Sequence, residues 1–162
     1  MAIWQFRLVL IPEESLRVNC GSVPTSIAED LAEDFSWWGA VQPPTGFEGQ
    51  IDGILPKAVS WSDDMKMWGN EHSDTAWVGY DEGGRVEFIE FKIDVRNCSP
   101  DFTKDICRFA EELKCVLLTR EYHLIKPDKV AVNDAINHSV ARQFVKDPIS
   151  TLRGLKSKKI LP

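Results

Sequence analysis

The chain has 162 residues, 43% hydrophobic and 27% charged, the size and balance of one globular domain. That composition excludes collagen, coiled-coil and disordered classes, and no apolar run is long enough to cross a bilayer. The net charge of −6 hides an asymmetry: residues 1–91 carry 16 acidic and 5 basic side chains, whereas residues 92–162 carry 9 and 14. An acidic surface repels phosphate backbones and attracts basic partners, and it also serves plain solubility.

In chain order, residues 3–11 (IWQFRLVLI) predict a strand that stops at Pro12. Apolar groups on both faces place it centrally, and the arginine within the run argues against a signal peptide. Ser26-Ile-Ala-Glu29 has the form of a capping box, followed by Ile27, Leu31 and Phe35 at four-residue spacing, which predicts a short helix over 27–36 with an acidic flank. Gly and Pro are dense from 39 to 56, so regular structure is expected to be sparse until about 57. Trp37, Trp38, Trp61 and Trp68 bracket this stretch, either tacking it to the core or forming a binding surface.

Residues 75–95 read as a hairpin turning at Gly83-Gly84, with Glu82 opposite Arg85, Val78 opposite Ile89 and Ala76 opposite Phe91. Beyond 89 the alternate face is Glu90, Lys92 and Asp94, which predicts one face in water. Ser99-Pro100-Asp101 starts a helix to about 114, Cys115–Thr119 is a buried strand running toward Ile125, and a helix is expected over 130–146. Asp147-Pro148 then restarts a short helix with Ile149, Leu152 and Leu155 inward and a frayed tail from Lys156. The whole predicts a single α+β domain over 1–162. Its largely antiparallel sheet is built from the N-terminal strand, the 75–95 hairpin and a strand near 115–125, with helices on one face.

Sites for chemistry are sparse. Cys20, Cys98, Cys107 and Cys115 form no CxxC pair and lack zinc spacing with a histidine, so free thiols in a reducing cytoplasm are expected. No phosphate-binding, dinucleotide or nucleophile-elbow motif occurs. Asp63-Asp64 lacks the alternating oxygen ligands and glycine of a calcium loop. Glu71-His72-Ser73-Asp74 is the most enzyme-like cluster, since histidine titrates near neutrality, but a solvated turn accounts for it more simply. Trp61, Trp68 and Trp77 stand among acids. They are core residues, or one or two of them are exposed anchors.

Two stretches, Asp81-Glu-Gly-Gly-Arg-Val-Glu-Phe-Ile-Glu-Phe-Lys-Ile-Asp-Val-Arg96 and Ser139-Val-Ala-Arg-Gln-Phe-Val-Lys-Asp-Pro148, carry a family resemblance. Together with Ile125-Lys-Pro127, Leu55-Pro56 and Ser60-Trp61-Ser62, they resemble small cytosolic bacterial immunity proteins of polymorphic and contact-dependent toxin systems. The resemblance spans residues 51–155. It implies a cytoplasmic, non-catalytic protein without a cofactor or metal that binds and blocks a cognate toxin. The charge layout suits a toxin with a basic surface, with no direct nucleic-acid or membrane binding. The expected contact residues are Asp63, Asp64, Glu71, Asp74, Asp81 and Glu82, with Trp61 or Trp68 as anchor. The alternatives are a small hydrolase or metal-dependent enzyme using His72 with Asp74 or Glu71, and an acidic nucleic-acid mimic or adaptor.

Overall fold

The structure, a computed structural model, describes residues 2–158. Seven strands form one antiparallel sheet: β1 (Gln5–Pro12), β2 (Lys57–Ala58), β3 (Met65–Gly69), β4 (Thr75–Tyr80), β5 (Val86–Asp94), β6 (Cys115–Thr119) and β7 (Leu124–Ile125). Their spatial order is β2-β3-β4-β5-β1-β6-β7. The helices are α1 (Glu13–Cys20), α2 (Glu29–Asp34), α3 (Phe47–Asp52), α4 (Pro100–Glu112), α5 (Lys129–His138), α6 (Val140–Lys146) and α7 (Pro148–Lys158). The expected α+β class is therefore the observed one, and β1 is interior, paired with β5 on one side and β6 on the other.

Alternation of side chains divides the sheet into two faces. On the first, Phe6, Leu8, Ile89, Phe91, Ile93, Ala76, Val78, Trp68 and Leu117 are buried. Helix α4 lies on this face: Phe91 meets Phe102 and Phe109 edge-on at centroid distances of 6.2 and 5.7 Å. It starts where a cap, a proline and an acid coincide, with Ser99 Oγ accepting from the Phe102 amide. Helix α3 covers the same face farther along the sheet. There Trp68 Nε1 donates to Asp52 at 2.6 Å, and Glu48 takes Lys66 Nζ and the Tyr80 hydroxyl. Burial alone would raise the Glu48 pKa, but these hydrogen bonds and the Lys66 charge outweigh it and hold the carboxyl below its ordinary value.

The second face is covered unevenly. Segment 27–38, including α2, closes it over Val9, Ile11 and Leu118. The Ile27 amide donates to the Tyr122 carbonyl, and Ser26 bridges His123 instead of capping α2. Beyond the end of the β1–β5 pairing at Val9 and Glu90, the side-chain amide of Gln42 takes the place of a strand beside Val86. Its Oε1 accepts from the Val86 amide at 2.8 Å and its Nε2 donates to the Val86 carbonyl at 3.0 Å.

The hairpin forms with Val78 opposite Ile89 and Ala76 opposite Phe91, as its alternation predicts. Near the turn the register slips: Gly79 faces Phe88, but Tyr80 faces Val86. Glu87 is the extra residue of a bulge, so Arg85 does not face Glu82 and instead donates to the Gly39 carbonyl. Other expectations also need correction. The Gly- and Pro-rich stretch expected to be sparse in regular structure holds α3, and the strand β3 follows it without having been predicted. The helix expected over 130–146 breaks at Ser139, whose hydroxyl caps α6 by accepting from the Arg142 amide. Ile149, Leu152 and Leu155, expected inward, are exposed on α7. The tail beyond 158 lies outside the described residues.

Candidate functional site

Over β3, β4, β5 and the first half of β1, the second sheet face is open. A cleft of about 510 Å³ lies there, its floor made by Arg7, Phe88, Glu90, Lys92 and Trp77. Trp4, Trp61, Glu71 and His72 stand around it. A neighbouring cleft of about 410 Å³ shares Arg7 and Phe88 and runs toward Tyr122 between Glu33, Asp34 and Glu87. The two clefts adjoin at Arg7 and Phe88, and Glu33, Asp34 and Glu87 are exposed carboxylates of the second.

The floor is a layer of paired charge. Arg7 and Lys92 are directly opposite on β1 and β5, and Glu90 lies two residues from Lys92 on the same face. Glu90 accepts from Arg7 Nε and holds Lys92 Nζ at 3.1 Å. The Lys92 ammonium also stands 5.7 Å over the Trp77 ring. Side-chain exposure falls from 39% at Arg7 to 19% at Lys92 and 9% at Glu90, so the carboxylate is enclosed and the guanidinium faces the cleft. The expectation that Glu90, Lys92 and Asp94 lie in water is thus corrected. Cross-strand cations, Trp77 and the 70–74 turn cover them.

That turn is clamped by its backbone. Gln5 donates to the carbonyls of Glu71 and Ser73, while Trp4 Nε1 and Arg96 both donate to the His72 carbonyl. Arg96 stacks on the Trp4 ring at 4.4 Å and pairs with Asp94 at 2.7 Å. Asp74 Oδ1 accepts from the Asp94 amide at 2.7 Å. Hydrogen bonding from Arg96 holds the Asp94 carboxyl below its ordinary value. Burial, assisted by the Asp94 charge, raises Asp74 despite the backbone hydrogen bond it accepts.

The residues singled out in the sequence divide accordingly. Trp61 is 76% exposed on the cleft rim, and Asp63 and Asp64 are exposed two and three residues on. Glu71 and Glu82 are exposed as well. Trp68 is fully buried and bonded to Asp52, so it is core and cannot be the anchor. Asp74 is turned to β5, and Asp81 caps the hairpin turn by accepting from the Gly83 and Arg85 amides. These two hold structure, although Asp81 remains half exposed. His72 is exposed at the cleft rim, and no hydrogen bond joins it to Asp74 or Glu71. Among the described residues no group of three His, Cys, Asp or Glu is placed to hold a metal ion, and no helix is long and apolar enough to cross a membrane. The four cysteines are unpaired. Burial pushes the Cys107 thiol up to about 11 and raises Cys115 further, so neither is a thiolate at neutral pH.

Sequence reasoning missed the Arg7–Glu90–Lys92 layer. The signals were present: one arginine inside an otherwise apolar strand, and acid–base alternation on the opposite face of a strand whose first face was clearly core. No family model, curated protein or solved structure matches the chain.

Proposed function

We propose that the chain is a stoichiometric, non-catalytic protein binder of the immunity type, which captures a basic bacterial toxin on the open face of its sheet. The observation that carries this reading is Trp61. It is the one tryptophan held out to solvent among the described residues, and it stands at the mouth of the cleft. A large exposed indole with exposed carboxylates two and three residues on has the make-up of an interface anchor with a charged rim. The adjoining cleft carries Glu33, Asp34 and Glu87, so a cationic partner segment that reached it would meet carboxylates there as well. The charge excess of the first half of the chain adds long-range attraction to the same partner.

The test is co-expression with proteins encoded beside this gene in its genome. The wild-type chain should restore growth of cells poisoned by one such protein and co-elute with it at a fixed stoichiometry. A triple variant, Trp61→Ala with Asp63→Lys and Asp64→Lys, alters only exposed side chains and should lose the rescue while remaining folded. Full rescue by this variant would place the interface elsewhere, and absence of any neutralised neighbour would remove the immunity reading.

A further inference from the structure

We propose that the 510 Å³ cleft is also a binding site for a small aromatic carboxylate, a role that the partner-binding reading neither assigns nor requires. The cations on its floor have donors to spare. Arg7 gives only its Nε to Glu90, and its two terminal nitrogens have no hydrogen-bond partner among the described residues. Lys92 Nζ is ion-paired with the same carboxylate at 3.1 Å. Two cations against one carboxylate leave a single positive charge on a floor partly shielded from water, where a charge-assisted contact is stronger than at an open surface. The planar end of a guanidinium matches a carboxylate with two parallel donors.

The surroundings choose among anions. Glu71 stands on the rim, and Asp63 and Asp64 lie on the Trp61 loop. A phosphate dianion would meet these carboxylates with twice the repulsion and only one net positive charge to balance it, so a monoanion fits better. Gln5 and His72 also line the cleft, and Trp61, Trp4, Phe88 and Met65 supply a largely flat apolar wall. Trp4 is held by Arg96 and by its bond to the His72 carbonyl, whereas Trp61 is 76% exposed at the rim. Pockets of this volume suit ligands of one or two rings, with a few polar groups setting the orientation.

The experiment titrates the full-length chain with 2-naphthoate, its neutral amide and 2-naphthylmethylammonium, following the tryptophan indole N–H signals by NMR. Naphthoate should shift the Trp61 and Trp4 signals saturably, and the amide should bind roughly tenfold more weakly, the equivalent of about 1.4 kcal/mol for a lost charge-assisted contact. Arg7→Gln should weaken naphthoate by a similar factor. Glu90→Gln should strengthen it, because the floor gains positive charge. Trp61→Ala tests the stacking wall without touching the core, and Arg7→Lys keeps the charge but loses the paired donors. Both should weaken binding even if Arg7→Gln fails to fold. Preference for the ammonium probe would show that the acidic rim dominates and would overturn the proposal. So would unsaturable shifts, or naphthoate binding indifferent to Trp61→Ala and Arg7→Lys. No protein partner takes part, so this result stands or falls separately from toxin neutralisation.

Discussion

Two glycines mark positions where the backbone of the site has no room to spare, and they differ in what crowds them. A methyl group on Gly79 would lie 2.1 Å from the Phe88 ring, which lines the cleft and is half exposed. The ring can turn away, so Gly79→Ala is expected to cost roughly 1–3 kcal/mol as overpacking and to reshape the cleft wall. At Gly69 the methyl group would lie 2.1 Å from the Asp74 carbonyl oxygen, and φ is +82°. Backbone cannot rotate aside, and the left-handed conformation adds about 1–2 kcal/mol for any residue with a β-carbon. Gly69→Ala should therefore destabilise clearly more than Gly79→Ala, measured as the shift in denaturant midpoint at constant slope. Equal losses would mean that the turn at 70–74 is softer than its clamps imply.

The carboxylates of that turn give a residue-level test with opposite signs. Asp94 lies below its ordinary value of 3.8, so it contributes stability that is complete above that pH and is lost as pH falls through its folded value. Asp74 lies above 3.8, so its ionised form weakens the fold at neutral pH and protonation relieves the cost on acidification. Asp94→Asn should lower stability at neutral pH and flatten the acid limb of the stability curve below 3.8. Asp74→Asn should be neutral or stabilising at the same pH, since an amide oxygen can still accept the Asp94 N–H. Chemical unfolding across the acid range checks both, and a destabilising Asp74→Asn would contradict the assignment.

At the level of elements, the core layer rests on β5 against α4. Ile89 and Phe91 are fully buried, and Phe91 meets two aromatic rings of α4. Truncating either to alanine is expected to cost roughly 2–5 kcal/mol, by the loss of transfer energy and the cavity left behind. These elements were legible in the sequence because local signals agree: strict alternation, a Gly-Gly turn and a Ser-Pro-Asp cap all point to one structure. Elements that depend on distant partners were not. Met65–Gly69 is a five-residue strand defined by pairing with β4, and nothing within those residues shows it. The break at Ser139 is invisible to apolar periodicity, which continues from Val132 through Ile136 to Ala141 on both sides. Helix α7 shows the converse: regular spacing makes an apolar stripe at Ile149, Leu152 and Leu155, but spacing does not say whether anything covers it. The charged floor of the cleft belongs with these hidden features, because Arg7 meets Glu90 only through the pairing of β1 with β5, 83 residues apart in the chain.

On the scale of the whole molecule, the faces of the sheet divide the work. One face is filled by α3 and α4 and carries the core; the other is covered by segment 27–38 at one end and left open at the other, beside exposed acids. Reversing two charges on the open face should then act on association and leave folding alone. Asp63 and Asp64 are exposed and form no ion pair among the described residues. Asp63→Lys with Asp64→Lys should leave the unfolding midpoint within about 0.5 kcal/mol of wild type, the usual range for surface changes. Association with a basic partner should slow severalfold at low salt, and the dependence of the rate on ionic strength should flatten, because steering scales with the charge on the encounter face. Dissociation should change less, unless Trp61 is removed as well. Hydrogen exchange on the complex locates the surface directly: protection is expected over 57–74 and the start of β1. Protection confined to 120–158, where basic side chains predominate, would put the partner on the other side of the molecule and leave the acidic half as a determinant of solubility.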